Sequence, residues 1–174
     1  MTATPDSAPD YTLRPARPED ADFLFSVFVA SRERELSVLP LPPEQAAAFT
    51  RQQYRAHLMG QETEFPDAVE LIVEMPGEDG RPVPTGRLVR AERPGEVWIC
   101  DLAVMPDRRN AGLGAALLQA AMDEVTARGL ILRGSVTPYN PARRLYARLG
   151  VMELPGQGAY IPLEWRPEPG AAVS

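Results

Sequence analysis

The chain has one cysteine, one histidine and no long apolar run, and each scarcity removes a class of protein. A lone Cys100 excludes an intrachain disulfide, and within a run of strand formers it reads as a small core residue, not a nucleophile. A lone His57 argues against a histidine-rich metal site and against a Ser-His-Asp triad; a half-buried or surface place on a helix is expected for it, and no metal. The longest apolar stretches fall far short of the roughly 20 residues that span a bilayer. The start, Met1 to Asp6, lacks the basic-then-apolar pattern of a secretory leader. A cytoplasmic protein with no membrane partner is therefore expected. No Gly-x-x-x-x-Gly-Lys-Ser/Thr string occurs, which removes a P-loop. The formal charge of −6 argues against a nucleic-acid partner. It leaves room for an anionic ligand held locally by Arg108 and Arg109, and favours a cationic, amine-bearing one.

What is present is a soluble globular composition, 174 residues with 44% apolar, enough for a single domain with a real core. Residues 1–10 are rich in Pro, Ser, Asp and Thr and are expected to be a disordered tail. Residues 166–174 are a loose Pro/Gly/Ala tail, which leaves 11–165 as the domain. Within it, Tyr11–Pro15 reads as a strand. A helix start at Pro18 leads into a helix to about Leu36 that buries Phe23, Phe25, Val27 and Phe28. Pro43 opens a second helix to about Met59, anchored by Phe49 and Tyr54. Strands are expected over 68–74 and 85–92 around the turn Gly77–Gly80. Further strands follow at 97–104, 130–136, 151–154 and 160–165. Helices span 113–128 and 141–149, the latter ended by Gly150.

The most informative stretch is 97–118. A strand from Val97 to Val104 is stopped by Met105 and Pro106. The polar turn Asp107–Asn110 and the string Ala111-Gly112-Leu113-Gly114 then open a helix. Unpaired N–H groups and the positive end of a helix dipole suit a phosphate there. Glycines at 112 and 114 keep Cβ atoms out of its way. A dinucleotide-binding fingerprint fails at Leu117, where Gly or Ala is required; a tight turn that merely starts a helix remains an alternative. The spacing Arg109-x-x-Gly112-x-Gly114 after a strand resembles the pyrophosphate loop of the GCN5-related N-acetyltransferases, the GNAT family. A second string, Asn140 to Gly150 with Leu145, Tyr146 and Leu149 inside it, is similar to that family's Asn-x-x-Ala-x-x-Leu-Tyr-x-x-Leu-Gly segment. The resemblance spans about 11–165 and is clearest over 97–150.

That resemblance implies an α/β (α+β) fold, a mixed sheet of about seven strands with a splayed central parallel pair and about four flanking helices. It implies acetyl-CoA as co-substrate, its pyrophosphate on the N–H groups of Arg109, Asn110, Ala111, Gly112, Leu113, Gly114 and Ala115. The backbones of Leu102, Ala103 and Val104 would meet the pantetheine arm, with the Val104 N–H steadying the developing oxyanion. Asn140 and Arg143 would contact the cofactor, and Tyr146 would lie near its sulfur as the general acid. A phenol of pKa about 10 giving its proton to a thiolate of about 8.5 runs uphill by roughly 2 kcal/mol, so the acid helps without being indispensable. Asp101, opposite in phase to Leu102, is the economical general base, with Glu70, Glu33 and Glu35 as rivals. The implied activity is direct acetyl transfer to a primary amine of a small molecule or protein, with no covalent enzyme intermediate. The alternative is a non-catalytic domain that binds coenzyme A or a peptide. Homodimerisation through the last strands is part of the resemblance. Three departures stand out: Ala111 where the loop often has a basic residue, Asn140 only six residues before Tyr146, and Val151 in place of Phe.

Overall fold

The computed structural model describes residues 9–33, 36, 40–156 and 158–168; Glu35, most of the expected N-terminal tail and the end of the C-terminal tail lie outside them. One sheet holds seven strands: β1 (Thr12–Pro15), β2 (Val69–Pro76), β3 (Pro82–Arg93), β4 (Glu96–Val104), β5 (Ile131–Val136), β6 (Met152–Glu153) and β7 (Ile161–Trp165). Their spatial order is β1-β2-β3-β4-β5-β7-β6. Every neighbouring pair is antiparallel except β4 and β5. Four helices flank the sheet among the described residues: α1 (Ala21–Ser31), α2 (Pro43–Glu64), α3 (Leu113–Arg128) and α4 (Arg143–Arg148). This is the mixed sheet with a central parallel pair that the sequence implied. No described helix is long and apolar enough to cross a membrane.

Alternation along β4 assigns the two faces. Val97 packs with Ala121, Met122 and Val125 of α3 and with Leu132 of β5. Leu102 and Val104 pack near Leu113 and Leu117 of the same helix. A strict period of two puts positions 97 and 102 on opposite faces. The contradiction is resolved by a bulge: Val89 pairs with Asp101 and Arg90 with Ile99, so Cys100 is the extra residue. The bulge resets the phase, and Asp101 then points to the face covered by α1 and α2. Full burial of Leu113, Met122 and Val125 on α3 contributes about 1.5–3 kcal/mol each before entropy.

Two helix boundaries differ from expectation. The first helix ends at Ser31, not near Leu36, because the charged stretch after it offers no apolar stripe to bury; past it, Leu36 N–H donates to Arg32 O at 2.9 Å. The second runs on to Glu64, five residues past the expected end. Along α1 the buried residues are Leu24, Val27 and Phe28, while Phe23 and Phe25 are only half-buried. β1 is pinned by Arg14, whose Nη1 and Nη2 donate to Asp20 at 2.7 and 2.8 Å and whose Nε donates to Glu74 at 2.7 Å.

Candidate functional site

The parallel ladder between β4 and β5 stops at the pair Ile99–Gly134, although β4 runs on to Val104 and β5 to Val136. Both strands keep their outer partners past that point, β4 pairing β3 as far as Gly86–Val104 and β5 pairing β7 as far as Val136–Ile161. The two strands therefore splay. A narrow cleft opens at the split, lined by Ile99, Leu118, Gly134, Ser135, Tyr146 and Val151 among others.

Backbone groups face this split in a definite pattern. Met105 N–H donates to Thr85 O at 2.9 Å, and alternate residues of an antiparallel pair turn their polar groups to the same side. Ala103 therefore bonds towards β3, whereas Leu102 and Val104, opposite Leu88 and Gly86, turn theirs to the open edge. The side chain of Arg109 corroborates that direction, its Nε donating to Val104 O at 2.8 Å. The N–H and C=O of Leu102 and the N–H of Val104 are thus available to an extended ligand arm. Ala103 offers only its methyl group, since its backbone is turned away.

Beyond β4 the chain makes a 3-10 turn, Pro106–Arg108, and reaches α3 through two residues of positive φ, Asn110 at 62° and Gly112 at 78°. Alternating left-handed residues gather successive N–H groups into a concavity suited to an anion. No side chain caps α3, so the first-turn N–H groups of Leu113, Gly114 and Ala115 keep their donors for a ligand. The loop thus fits a pyrophosphate. Arg109 departs from its expected part: Nη2 donates to Ala30 O at 3.1 Å, tying the loop to the end of α1. Its side chain braces the loop, and its backbone N–H donates to Pro106 O at 3.3 Å, so neither group is left for an anion.

On the opposite face of β4, Asp101 sits in a polar cluster that the sequence reading saw only in part. Arg87 of β3, whose side chain is only 3% exposed, donates from Nη1 to Asp101 Oδ2 and from Nε to Glu70 Oε1, both at 2.5 Å. Its Nη2 donates to Gln61 Oε1 at 2.7 Å, and Nη1 lies 3.3 Å from His57 Nε2. His57 Nε2 is in turn 3.7 Å from Asp101 Oδ2. Burial pushes the Asp101 carboxyl up, but His57 and Arg87 outweigh it and hold the group below the usual carboxylate range. The cluster joins β2, β3, β4 and α2. Arg87, His57 and Gln61 were not among the expected site residues. The usable signal was Arg87 itself, a cation inside the buried run Thr85–Val89 that demands carboxylates.

Tyr146 of α4 lines the cleft from the α3 side. Burial and the negative charge of Asp101 push its phenol above the ordinary value, which puts the two candidate catalytic groups in one electrostatic neighbourhood. Its hydroxyl has no hydrogen-bond partner among the described residues. The other α4 candidates have local partners. Asn140 Oδ1 accepts from Ala142 N–H at 2.9 Å, a helix-start turn. Arg143 donates to both Glu153 oxygens, at 2.7 and 2.9 Å, and to Pro138 O at 2.7 Å, so it fastens α4 to β6. Among the described residues no group of three or more His, Cys, Asp or Glu side chains gathers to hold a metal ion.

A profile described as the acetyltransferase (GNAT) family matches residues 35–151. No curated protein matches the chain. Among solved structures the chain is similar to the PaiA N-acetyltransferase of Thermoplasma acidophilum in complex with coenzyme A, at 16% identity and TM-score 0.63 over 90% of this chain and 99% of that one. It is similar to a GCN5-related N-acetyltransferase of Rhodopseudomonas palustris, at 26% identity and TM-score 0.60 over 94% and 98%. It is also similar to the ribosomal-protein-S18-alanine N-acetyltransferase of Escherichia coli, at 17% identity and TM-score 0.58 over 95% and 96%. The profile spans more than half of the residues, and the splayed strands with the glycine loop below them agree with it: the chain belongs to the GNAT acetyltransferase family.

Proposed function

We propose that the protein is an acetyl-CoA-dependent N-acetyltransferase that passes the acetyl group directly to a primary amine. The observation that carries this reading is the β4–β5 split itself, with the open edge of β4 on one wall and Tyr146 on another. Acetyl-CoA supplies an activated thioester. The N–H groups at residues 112–115 hold its pyrophosphate, and Leu102 and Val104 align its arm as an added strand. Val104 N–H is placed for the carbonyl oxygen as charge develops. Tyr146 is the proton donor at the sulfur; its raised pKa makes that donation more uphill than for an ordinary phenol, so it assists without being indispensable.

Asp101 is the acceptor-side carboxylate. Its lowered pKa keeps it ionised at neutral pH, which suits it to hold a cationic amine. The bound ammonium gives one proton to water before it attacks, and one of the remaining nitrogen protons, strongly acidic once the C–N bond forms, passes to Asp101, for which a weakly basic carboxylate is enough. Glu70 shares Arg87 with it and adds a second negative charge; Glu33 has no place in this cluster.

The test is free-thiol release from acetyl-CoA over a panel of amines. Release with some amine, reduced in Asp101→Asn, supports the reading. Acetyl-CoA binding with no release on any amine makes the protein a coenzyme A-binding domain of this fold.

A further inference from the structure

The chain's one histidine is the least explained member of the Asp101 cluster. Its ring lies between two walls of different character. Phe28 of α1 packs against it with ring centroids 5.4 Å apart, and Tyr54 of α2 backs Phe28 at 5.0 Å. On the polar side Nε2 lies 3.3 Å from Arg87 Nη1 and 3.7 Å from Asp101 Oδ2. Gln61, one turn further along α2, is held by Arg87 Nη2 at 2.7 Å. The charged groups around the ring are thus Arg87 of β3, Asp101 of β4 and, reached through Arg87, Glu70 of β2. Arg32, just past α1, lies over the Phe28 ring and acts on Asp101 more weakly than His57 and Arg87 do. The His57 side chain keeps 23% exposure and that of Asp101 27%, so water reaches both.

These contacts give the ring two arrangements. A guanidinium only donates, so in the neutral ring Nε2 accepts from Arg87 Nη1 and the ring's own hydrogen is on Nδ1. A proton arriving at Nε2 makes that atom a donor, and Asp101 Oδ2 then stands as its acceptor. Arg87, Glu70 and Asp101 together carry one surplus negative charge. A bound ammonium offsets that charge, and an imidazolium does so equally. Moving a proton from the ammonium to the ring therefore leaves the net charge of a half-buried site unchanged. Asp101 is a poor acceptor for this first proton. Its carboxyl is held below the ordinary range, more than about six pH units below an ammonium of about 10.4. Histidine is the side chain whose charge changes nearest neutral pH.

We propose that His57 is the base that receives the first proton of the acceptor amine. The ammonium held at Asp101 releases a proton to water, and that water passes one on to His57 Nε2. The free amine attacks the thioester carbonyl, the C–N bond forms, and the second nitrogen proton goes to Asp101. The C–S bond breaks with its electron pair on sulfur, and the thiolate takes the Tyr146 proton. Of the two protons then on His57 and Asp101, one returns to Tyr146 and the other leaves to solvent. This inference rests on the acetyltransferase reading and completes its proton path.

The experiment follows thiol release from acetyl-CoA between pH 6 and 10.5 for the native protein and for His57→Gln, whose amide oxygen still accepts from Arg87. The acceptors are butylamine, lysine and spermidine, all ammonium ions at neutral pH, and 2,2,2-trifluoroethylamine, which is already neutral there. In the native protein kcat/KM for a strongly basic amine levels off well below the amine's own value of about 10. In the variant it rises without a break towards that value, tracking the free amine. A deficit of about a hundredfold at pH 7 then closes to less than about threefold near pH 10. Trifluoroethylamine has no proton to lose first, and its deficit at pH 7 is at least about tenfold smaller. A deficit equal at every pH and for both kinds of amine marks a merely structural place for the ring and overturns the assignment, as does a profile equal to the native one. Should circular dichroism show the variant unfolded, the native profile decides: levelling off supports the assignment, and an unbroken rise to about pH 10 overturns it. Native release from none of these amines sinks the acetyltransferase reading itself, whereas release with the wrong pH profile sinks only the role of His57.

Discussion

Arg87→Met removes the centre of the acceptor-side cluster while keeping a long apolar stem. In the native protein this guanidinium is 3% exposed and neutralises Glu70 and Asp101 at 2.5 Å each. Its loss leaves two carboxylates in one cluster, with His57, Gln61 and the charge of Arg32 to offset them. Removing one partner of a buried ion pair costs about 3–5 kcal/mol, and a domain of this size loses roughly 2–4 °C of Tm per kcal/mol. We expect a fall of roughly 10 °C, and a matching loss in urea unfolding followed by circular dichroism. The pH dependence gives a stricter check. In the native protein the lowered pKa of Asp101 contributes stability above the ordinary carboxylate value, and that contribution is lost as pH falls through the native value. In the variant burial acts on Asp101 with Arg87 gone and only His57 and Arg32 opposing it, so its pKa rises from the native value. Its charge is then less favourable at neutral pH than in the native protein, and that difference is relieved as pH falls. The stability gap between the two proteins must therefore narrow from pH 7 towards pH 4. Replacing Asp101 as well, in Arg87→Met/Asp101→Asn, recovers part of the loss. A gap below about 0.5 kcal/mol at pH 7, the size of an ordinary surface substitution, or one that does not narrow in acid, refutes the reasoning.

Tyr146→Phe is expected to lower kcat about ten- to a hundredfold, the low end of or below the roughly 10²–10⁴-fold of a well-matched acid because the phenol donates uphill, with acetyl-CoA affinity retained; an unchanged kcat would remove the tyrosine from the chemistry. The carboxyl of Asp20 is held at about 2 by the Arg14 fork and, less strongly, by Arg17 N–H, against the opposing effect of burial. Its stabilisation is complete above the ordinary value of about 3.9 and fades as pH falls towards 2. The difference in urea midpoint between the native protein and Asp20→Asn should close over that interval, and a pH-independent difference would contradict the assignment. Burial pushes the Cys100 thiol up to about 12, so maleimide labelling at pH 7 should be slow in the folded protein and fast in urea. Fast labelling of the folded protein would show that the β4 bulge is open to solvent.

Local patterns were legible in the sequence. The strand, the Pro106 stop, the glycine loop and α3 lie within one continuous stretch, and each is dictated by residues a few places apart. The same holds for the α4 segment, whose Tyr146 was separable from the Leu145 and Leu149 face by helical phase alone. The phase of Asp101 relative to Leu102 was also correct, although the Cys100 bulge that sets it against Val97 leaves no trace in the composition of β4. Contacts between distant segments were not legible. Arg87, Glu70, His57 and Asp101 come from four elements, and only the sheet register and the seating of α2 bring them together. Side-chain allegiance was hidden for the same reason. Arg109 and Arg143 were expected at the cofactor because they stand in the motifs, yet their side chains are engaged by Ala30 O, remote in sequence, and by Glu153, ten residues on. The end of α1 was misjudged because helix propensity continues past Ser31 while the apolar stripe does not.

The measurement that tests the account most directly is calorimetric titration of acetyl-CoA into the native protein and into Gly114→Glu. Gly114 has a helical backbone, and a Cβ there meets only Leu145 Cδ2 at 3.5 Å, an ordinary contact. A glutamate in the first turn of α3 complements the helix dipole, so the fold is not weakened, while its charge occupies the proposed pyrophosphate cradle. The account predicts tight, saturable binding to the native protein and none to the variant, with the Tm of the variant no lower. No binding to the native protein, or equal binding to both, contradicts the cofactor site and everything built upon it.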